Sequence, residues 1–315
     1  MDDLADLTAF LTVAREGGFR SAARIAGSSA SCMGDAVRRL EARLGVRLLH
    51  RTTRSVTPTD AGARLLERIS PALGEVRAAL DVVNDFRDRP AGRLKLNVPT
   101  AVARLILPQI VPPFLAKYPD ILLEVIADER RIDVVADGFD AGIRYGEWLE
   151  KDMVAVPIGP RVQRYAAVAS PAYLERRGRP THPRDLLEHD CLAWRFGSGP
   201  LHVWEFERGG ETIHVDPRGP LVAGFGGATD FAVEAAVAGC GIVYLFEDWL
   251  RPWIDRGALV PVLQPWWLSV TGPFLYYPGR RYLPAPLRAF VDFVQSTRPQ
   301  RPRGRPRVDP RRTGA

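Results

Sequence analysis

Arg38 and Arg39 follow Ser29, Ser31 and Asp35 within ten residues, a set of donors with one acceptor that suits phosphates and the edges of base pairs. Further arginines crowd around them. Between Arg20 and Arg54 eight arginines face two acids, Asp35 and Glu41, and from Arg298 to Ala315 seven face Asp309 alone, whereas the whole chain carries only +6. Everything outside these two segments is therefore net acidic. Positive charge gathered at two places favours local anion binding over general solubility. With only three lysines in the chain, an arginine-rich genome accounts for the number of arginines but not for their clustering.

Catalytic chemistry has less support. The Gly-x-Ser-x-Gly, His-Glu-x-x-His and Gly-x-x-x-x-Gly-Lys patterns are absent, and His50, His182, His189, His202 and His214 lack metal-ligand spacing. His189-Asp190-Cys191 invites a nucleophile reading, yet chain neighbours seldom meet as a catalytic pair. Cys32, Cys191 and Cys240 form no Cys-x-x-Cys pair, which argues against a zinc site and a disulfide scaffold. No metal or cofactor is expected. The N-terminus lacks a basic start followed by an apolar run, and no apolar stretch approaches membrane-spanning length. A cytoplasmic protein without a membrane partner is expected.

The elements that would position the arginines are legible. Ser21-Ala22-Ala23-Arg24-Ile25-Ala26 reads as a short helix capped by Ser21, and Gly27-Ser28-Ser29 breaks it. A second helix is expected from Ser31 to Leu44, its apolar stripe formed by Met33, Val37, Leu40 and Leu44 and its opposite face by Ser31, Asp35, Arg38, Arg39 and Ala42. Gly45 ends it. Such a helix is held by its back and offered to a DNA groove. Thr59-Asp60 begins a third helix, whose heptad-like seam of Leu65, Ile69, Leu73, Val76, Leu80 and Val83 fits pairing with a second copy or packing on its own chain. Pro71 predicts a bend there.

Beyond Arg89-Pro90-Ala91-Gly92, which reads as a linker, strands and helices alternate, with strands near residues 94–98, 121–126, 140–144, 165–169 and 241–245. Alternation of this kind implies parallel sheets with helices on their faces.

Particular runs of residues carry a resemblance. Phe10, Ser21-Ala22-Ala23, Leu40-Glu41-x-x-Leu44-Gly45-Val46-x-Leu48-Leu49, Arg51-Thr52-Thr53-Arg54 and Thr57-Pro58-Thr59-x-x-Gly62 resemble the winged helix-turn-helix and linker helix of LysR-type transcriptional regulators. Leu107-Pro108, Phe114-x-x-x-Tyr118-Pro119, Gly138-Phe139-Asp140-Ala141-Gly142-Ile143-Arg144, Ser170-Pro171-Ala172-Tyr173-Leu174 and Gly239-Cys240-Gly241-Ile242 are similar to that family's effector-binding region. The similarity extends to about Ser296.

The resemblance implies an α/β protein: an N-terminal winged helix-turn-helix domain (1–59, motif about 19–38), a linker helix for dimerisation (60–89) and an effector-binding domain (90–296). That domain would have two Rossmann-like lobes, 93–162 with 268–296 and 163–267, arranged like a periplasmic binding protein. Residues 297–315 would form a disordered Arg/Pro-rich tail, in which Arg303-Gly304-Arg305-Pro306 resembles an AT-hook core or is simply an arginine-rich end. Expected partners are double-stranded DNA, a small-molecule effector and further copies of the chain in a homodimer or homotetramer. An architectural DNA binder without ligand control is the alternative, although bending DNA alone needs no large α/β region.

The expected DNA-binding residues are Arg20, Ser29, Ser31, Asp35, Arg38, Arg39, Arg51 and Arg54. The chain departs from the family at Gly34-Asp35-Ala36, where members often carry serine, a basic residue and a polar one. An aspartate here repels phosphate but can accept from a cytosine amine. For the effector, the family's placement of a Ser or Thr after the first strand points to Thr100, beside Ala101, with Tyr145, Phe225 and Thr229 as companions. Thr100 could instead only cap its helix. Trp204, Phe206, Trp266 and Trp267 suit either a pocket wall or a core.

Overall fold

Helices α1 (Asp3–Glu16), α2 (Phe19–Ala26) and α3 (Ala30–Leu44) close around buried Phe10, Val13, Ala22, Val37 and Leu40. The computed structural model describes residues 3–52, 55–81, 89–129, 134, 137–146, 153–197, 199–279 and 283–297. Thr53, Arg54, Val83 and the arginine-rich tail from Arg298 onward lie outside the described residues. The apolar stripe of α3 holds for Met33, Val37 and Leu40. Leu44 does not join it and is 47% exposed, because Leu48 and Leu49 return to fill the core.

Both helix starts differ from the sequence expectation. Extended Gly18 occupies the N-cap of α2, and the Ser21 hydroxyl, now inside the first turn, donates to the Gly18 carbonyl at 3.0 Å. Phe19 draws the start back, since its ring packs on the same core. Helix α3 begins at Ala30, capped by Ser29, whose hydroxyl accepts from the Cys32 N–H at 3.1 Å. Gly27 and Gly45 end the two helices in the left-handed region, as the sequence predicts.

Strands β1 (Leu49–Arg51) and β2 (Val56–Pro58) pair antiparallel as a short wing. Helix α4 (Asp60–Asp81) leaves it, and its first turn is tied down by Thr59, whose hydroxyl donates to the Arg47 carbonyl at 2.8 Å and accepts from the Gly62 N–H at 3.0 Å. A Cβ at Gly62 would stand 2.0 Å from the Leu48 carbonyl oxygen, so a side chain is excluded there. The helix runs uninterrupted through Pro71; one missing hydrogen bond leaves the helical turns on either side in place.

Two sheets follow. The first contains β3 (Gly92–Val98), β4 (Ile121–Ala127), β5 (Ala141–Arg144), β6 (Met153–Pro157) and β15 (Phe274–Pro278), in the order β4-β3-β5-β15-β6. Helices α5 (Thr100–Leu105), α6 (Leu107–Lys117) and α10 (Ala285–Ser296) cover it, and Phe114 meets Phe290 edge-on at 5.0 Å in its core. The second sheet contains β7 (Val162–Ala169), β8 (Cys191–Arg195), β11 (Val222–Gly224), β12 (Ile242–Phe246) and β13 (Val260–Val262), with β14 (Ser269–Thr271) pairing to β7. Helices α7 (Pro171–Arg177), α8 (Thr229–Val237) and α9 (Glu247–Asp255) belong to this lobe, with a hairpin of β9 (Trp204–Arg208) and β10 (Glu211–Val215). Trp204, Phe206, Trp266 and Trp267 are all core residues here.

Neither sheet is purely parallel, contrary to expectation. Strand β3 runs parallel to β4 and β5, but β15 is antiparallel to both its neighbours, and β7 is antiparallel to β12, β13 and β14. The physical reason is connectivity. Strands β7 and β15 enter from the other lobe, so no helical crossover forces them parallel. Their connections run side by side: Ile158 N–H donates to the Pro273 carbonyl at 2.9 Å and Gly272 N–H to the Arg161 carbonyl at 2.8 Å. A Cβ at Gly272 would stand 1.8 Å from the Pro160 oxygen. The chain thus changes sheet at 158–161 and 272–273, a few residues from the expected 162/163 and 267/268.

Candidate functional site

The outward face of α3 presents Ser31, Cys32, Asp35 and Arg38, all exposed, while Met33, Ala36, Val37 and Leu40 anchor its back. Arg38 is ion-paired through Nη2 with Asp35 one turn earlier and donates through Nε to the Gly34 carbonyl at 3.4 Å. Arg39 is different. It donates to the fully buried Asp6 of α1 at 2.7 Å, and Arg43 approaches the same carboxylate at 3.5 Å. Asp6 thereby holds α1 against α3 while keeping two guanidinium groups at the rim. Arg20 on α2 is exposed, and the Ser29 hydroxyl is engaged in its cap.

Glu41 organises the wing. One carboxylate oxygen accepts the N–H groups of Leu48 at 2.9 Å and Leu49 at 3.2 Å, and the other accepts from Arg51 at 2.8 Å. The Arg51 guanidinium also lies 5.1 Å from the centroid of the Phe19 ring. Arg51 is therefore held between α2, α3 and the wing, aimed rather than free to wander. Arg54 falls outside the described residues.

The second constellation lies between the lobes. Thr100 is the first residue of α5, and its N–H donates to Glu129 at 2.7 Å. Pro99 rather than Thr100 occupies the N-cap of α5, so the Thr100 hydroxyl does not sit at the cap position. It faces the other lobe instead, where a Cβ on Gly226 would lie 3.3 Å from it. Ala101 and Tyr145 pack into the second lobe's core, and Tyr145 stacks on Phe246 with centroids 5.4 Å apart. Burial, then Tyr165, then the charge of Glu129 push the Tyr145 hydroxyl up. It stays protonated and donates to Gln163 Oε1 at 2.9 Å.

The Gln163 Nε2 is buried without a partner among the described residues, on a residue only 3% exposed that sits where β7 leaves the crossover. A stranded buried donor is costly. Phe225 packs on Phe196 at 4.8 Å and edge-on to Trp194 at 5.7 Å. The Thr229 hydroxyl accepts the Gly226 N–H at 3.0 Å, shaping its own loop. Arg104 of α5 and Asp230 of α8 form an ion pair across the lobes, with the guanidinium 4.3 Å over Trp249.

The His189-Asp190-Cys191 run does not assemble a nucleophile. Burial pushes the Cys191 thiol up to about 12, and it donates to the Leu186 carbonyl. His189 Nδ1 meets the Tyr173 hydroxyl at 3.1 Å instead. Among the described residues no group of His, Cys, Asp and Glu could hold a metal ion, and no described helix is long and apolar enough to cross a membrane.

Two family matches coincide with these two regions: residues 4–63 match the bacterial regulatory helix-turn-helix protein, lysR family, and residues 87–298 match the LysR substrate binding domain. The chain belongs to the LysR-type transcriptional regulators. The HTH-type transcriptional regulator YcaN of Escherichia coli K12 is 40% identical over 294 residues, covering 93% of this chain and 95% of its own. PgrR of the same strain is 36% identical over 292 residues, covering 92% and 96%. Among solved structures, full-length AphB of Vibrio cholerae, described as a virulence activator, aligns at 27% identity with a TM-score of 0.62, over 93% of this chain and 99% of that one. This LysR-type regulator is thus a DNA-binding transcriptional regulator and not an enzyme.

Within this LysR-type regulator, sequence reasoning named Thr100, Ala101, Tyr145, Phe225 and Thr229, and all five lie at or beside the contact between lobes. It missed Glu129, Gln163 and the Arg104–Asp230 pair. Their signals were absent from the chain order: the ion pair joins residues 126 positions apart. Asp6 and Glu41 were missed as positioning groups for the same reason, although Glu41 stands inside the Leu40–Leu49 motif.

Proposed function

We propose that this LysR-type regulator binds specific DNA sequences through α3 and the wing and is controlled by a small molecule held between its two α/β lobes. One observation carries the ligand reading. Gln163 Nε2, a buried donor without a partner among the described residues, lies beside Tyr145 at the junction of the lobes, across a contact that also holds the Thr100 hydroxyl opposite Gly226. A ligand acceptor reaching Nε2 would relieve its desolvation cost. The crossovers at Gly272 and Pro160 run side by side between the lobes, and they would serve as the common hinge of a ligand-driven movement. The exposed Val76 on α4 fits pairing of that helix with the same helix of a second copy.

A thermal-shift screen of metabolites tests the ligand reading. A true ligand at about 100 times its Kd stabilises by about 2.7 kcal/mol, and Thr100→Val and Gln163→Leu should each diminish the shift. Hits insensitive to both changes would place the pocket elsewhere. A chain that binds DNA but gives no hit with any metabolite class would favour the architectural alternative.

A further inference from the structure

Among the three arginines of α3, Arg38 alone is not drawn onto Asp6: Arg39 and Arg43 both contact that buried carboxylate. Beyond the helix, Arg51 is held by Glu41. Arg38 has a different partner. Its side chain is 65% exposed and that of its ion-pair partner Asp35 is 50% exposed, so the pair stands on the outer face rather than in the fold. Two contacts fix the guanidinium: Nη2 on Asp35 Oδ1 and Nε on the Gly34 carbonyl. They leave the Nη1 donors and the second Nη2 hydrogen without a partner among the described residues. The other Asp35 oxygen, Oδ2, makes no contact among the described residues. Next to the pair, a Cβ on Gly34 would meet nothing within 4 Å, so the helix surface there is bare and open to close approach.

Resting on the reading of α3 as the groove-facing helix, we infer that Asp35 and Arg38 act as a single base-reading unit for a guanine beside a cytosine. Arg38 offers two parallel donors to guanine O6 and N7, and Asp35 accepts from the cytosine N4 amine. The arrangement also explains an acid where phosphate is near. The two charges cancel, so the pair adds little to non-specific attraction and contributes through discrimination. A lone arginine on the same face would keep its donors for guanine but would add attraction to phosphate for every sequence alike.

The test is selection from a randomised duplex DNA library with the full-length chain, followed by salt titrations on a selected and an unrelated duplex. The wild type should enrich a motif with guanine and cytosine in adjacent positions. Asp35→Asn should cut the preference for cytosine by about five-fold or more while retaining guanine, and should tighten binding to the unrelated duplex. Arg38→Lys keeps the charge but loses the fork, so the guanine preference should fall with little change in salt dependence. Circular dichroism guards against misfolding, which two exposed side chains give little reason to expect. Uniform tightening by Asp35→Asn with an unchanged motif would overturn the unit and reduce Asp35 to a repulsive charge. A wild-type motif lacking the guanine–cytosine step would also overturn it. No enriched motif at all would instead sink the reading of α3 as a sequence reader, a distinguishable failure.

Discussion

Arg51 shows how a residue can serve structure and function at once. Its guanidinium is 2.8 Å from Glu41 and stacked near Phe19, so the fold supplies its orientation while leaving it at the wing. If it also meets a backbone phosphate, Arg51→Ala should weaken binding to all sequences and lower the slope of log affinity against log salt by roughly one. A gel-shift salt series reads both, and an unchanged slope would remove Arg51 from the interface. Glu41→Gln separates the two roles. It keeps the acceptor for Leu48 and Leu49 but loses the charge facing Arg51, so binding should become less position-selective with the slope preserved.

At the scale of elements, the crossover strands and α4 carry the distinctive constraints. A methyl group at Gly272 would collide with the Pro160 oxygen, and the paired strands there have no room to part without losing their hydrogen bonds. Gly272→Ala should therefore destabilise the chain by about 1–3 kcal/mol, as overpacking does, and a thermal melt should show a lowered Tm. An unaltered Tm would mean that the crossover gives way freely. Helix α4 carries Val76, 41% exposed in one copy, which is the kind of position a second helix covers. If α4 pairs with the same helix of a second copy, as proposed, Val76→Glu should shift the protein toward monomer by burying a charge in that seam. Sedimentation velocity checks it, and an unchanged oligomer would place the pairing on another surface.

For the molecule as a whole, pH offers a separate handle on the second lobe. Burial lowers the pKa of His202, and burial followed by the Arg177 charge lowers that of His189. The folded chain thus resists protonating both rings, while the unfolded chain takes up protons as pH falls below about 6.5. The stability they contribute is complete above that value and is lost on acidification toward their folded pKa values. Tm should accordingly decline as pH falls below about 6.5, and His202→Gln should flatten part of that decline. An identical pH profile in the variant would show that His202 titrates normally. His202 sits 5.4 Å from Phe196, which in turn packs on Phe225 beside Thr229, so a ligand between the lobes should also shift this dependence.

The sequence by itself determined the helix-turn-helix, because its signals are local. Glycines at 27 and 45, serine and threonine caps, and apolar residues at helical spacing act within a few positions of one another, and the charge cluster needs no fold to be counted. It also determined the α/β character of the remainder through strand and helix alternation. Local pattern could not determine the direction of β7 and β15, since that follows from which lobe each strand enters. Nor could it reveal that Asp6 restrains Arg39 or that Gln163 keeps a donor without a partner among the described residues. Those facts arise where segments remote in the chain meet, and burial then decides which polar groups find partners within the fold and which do not.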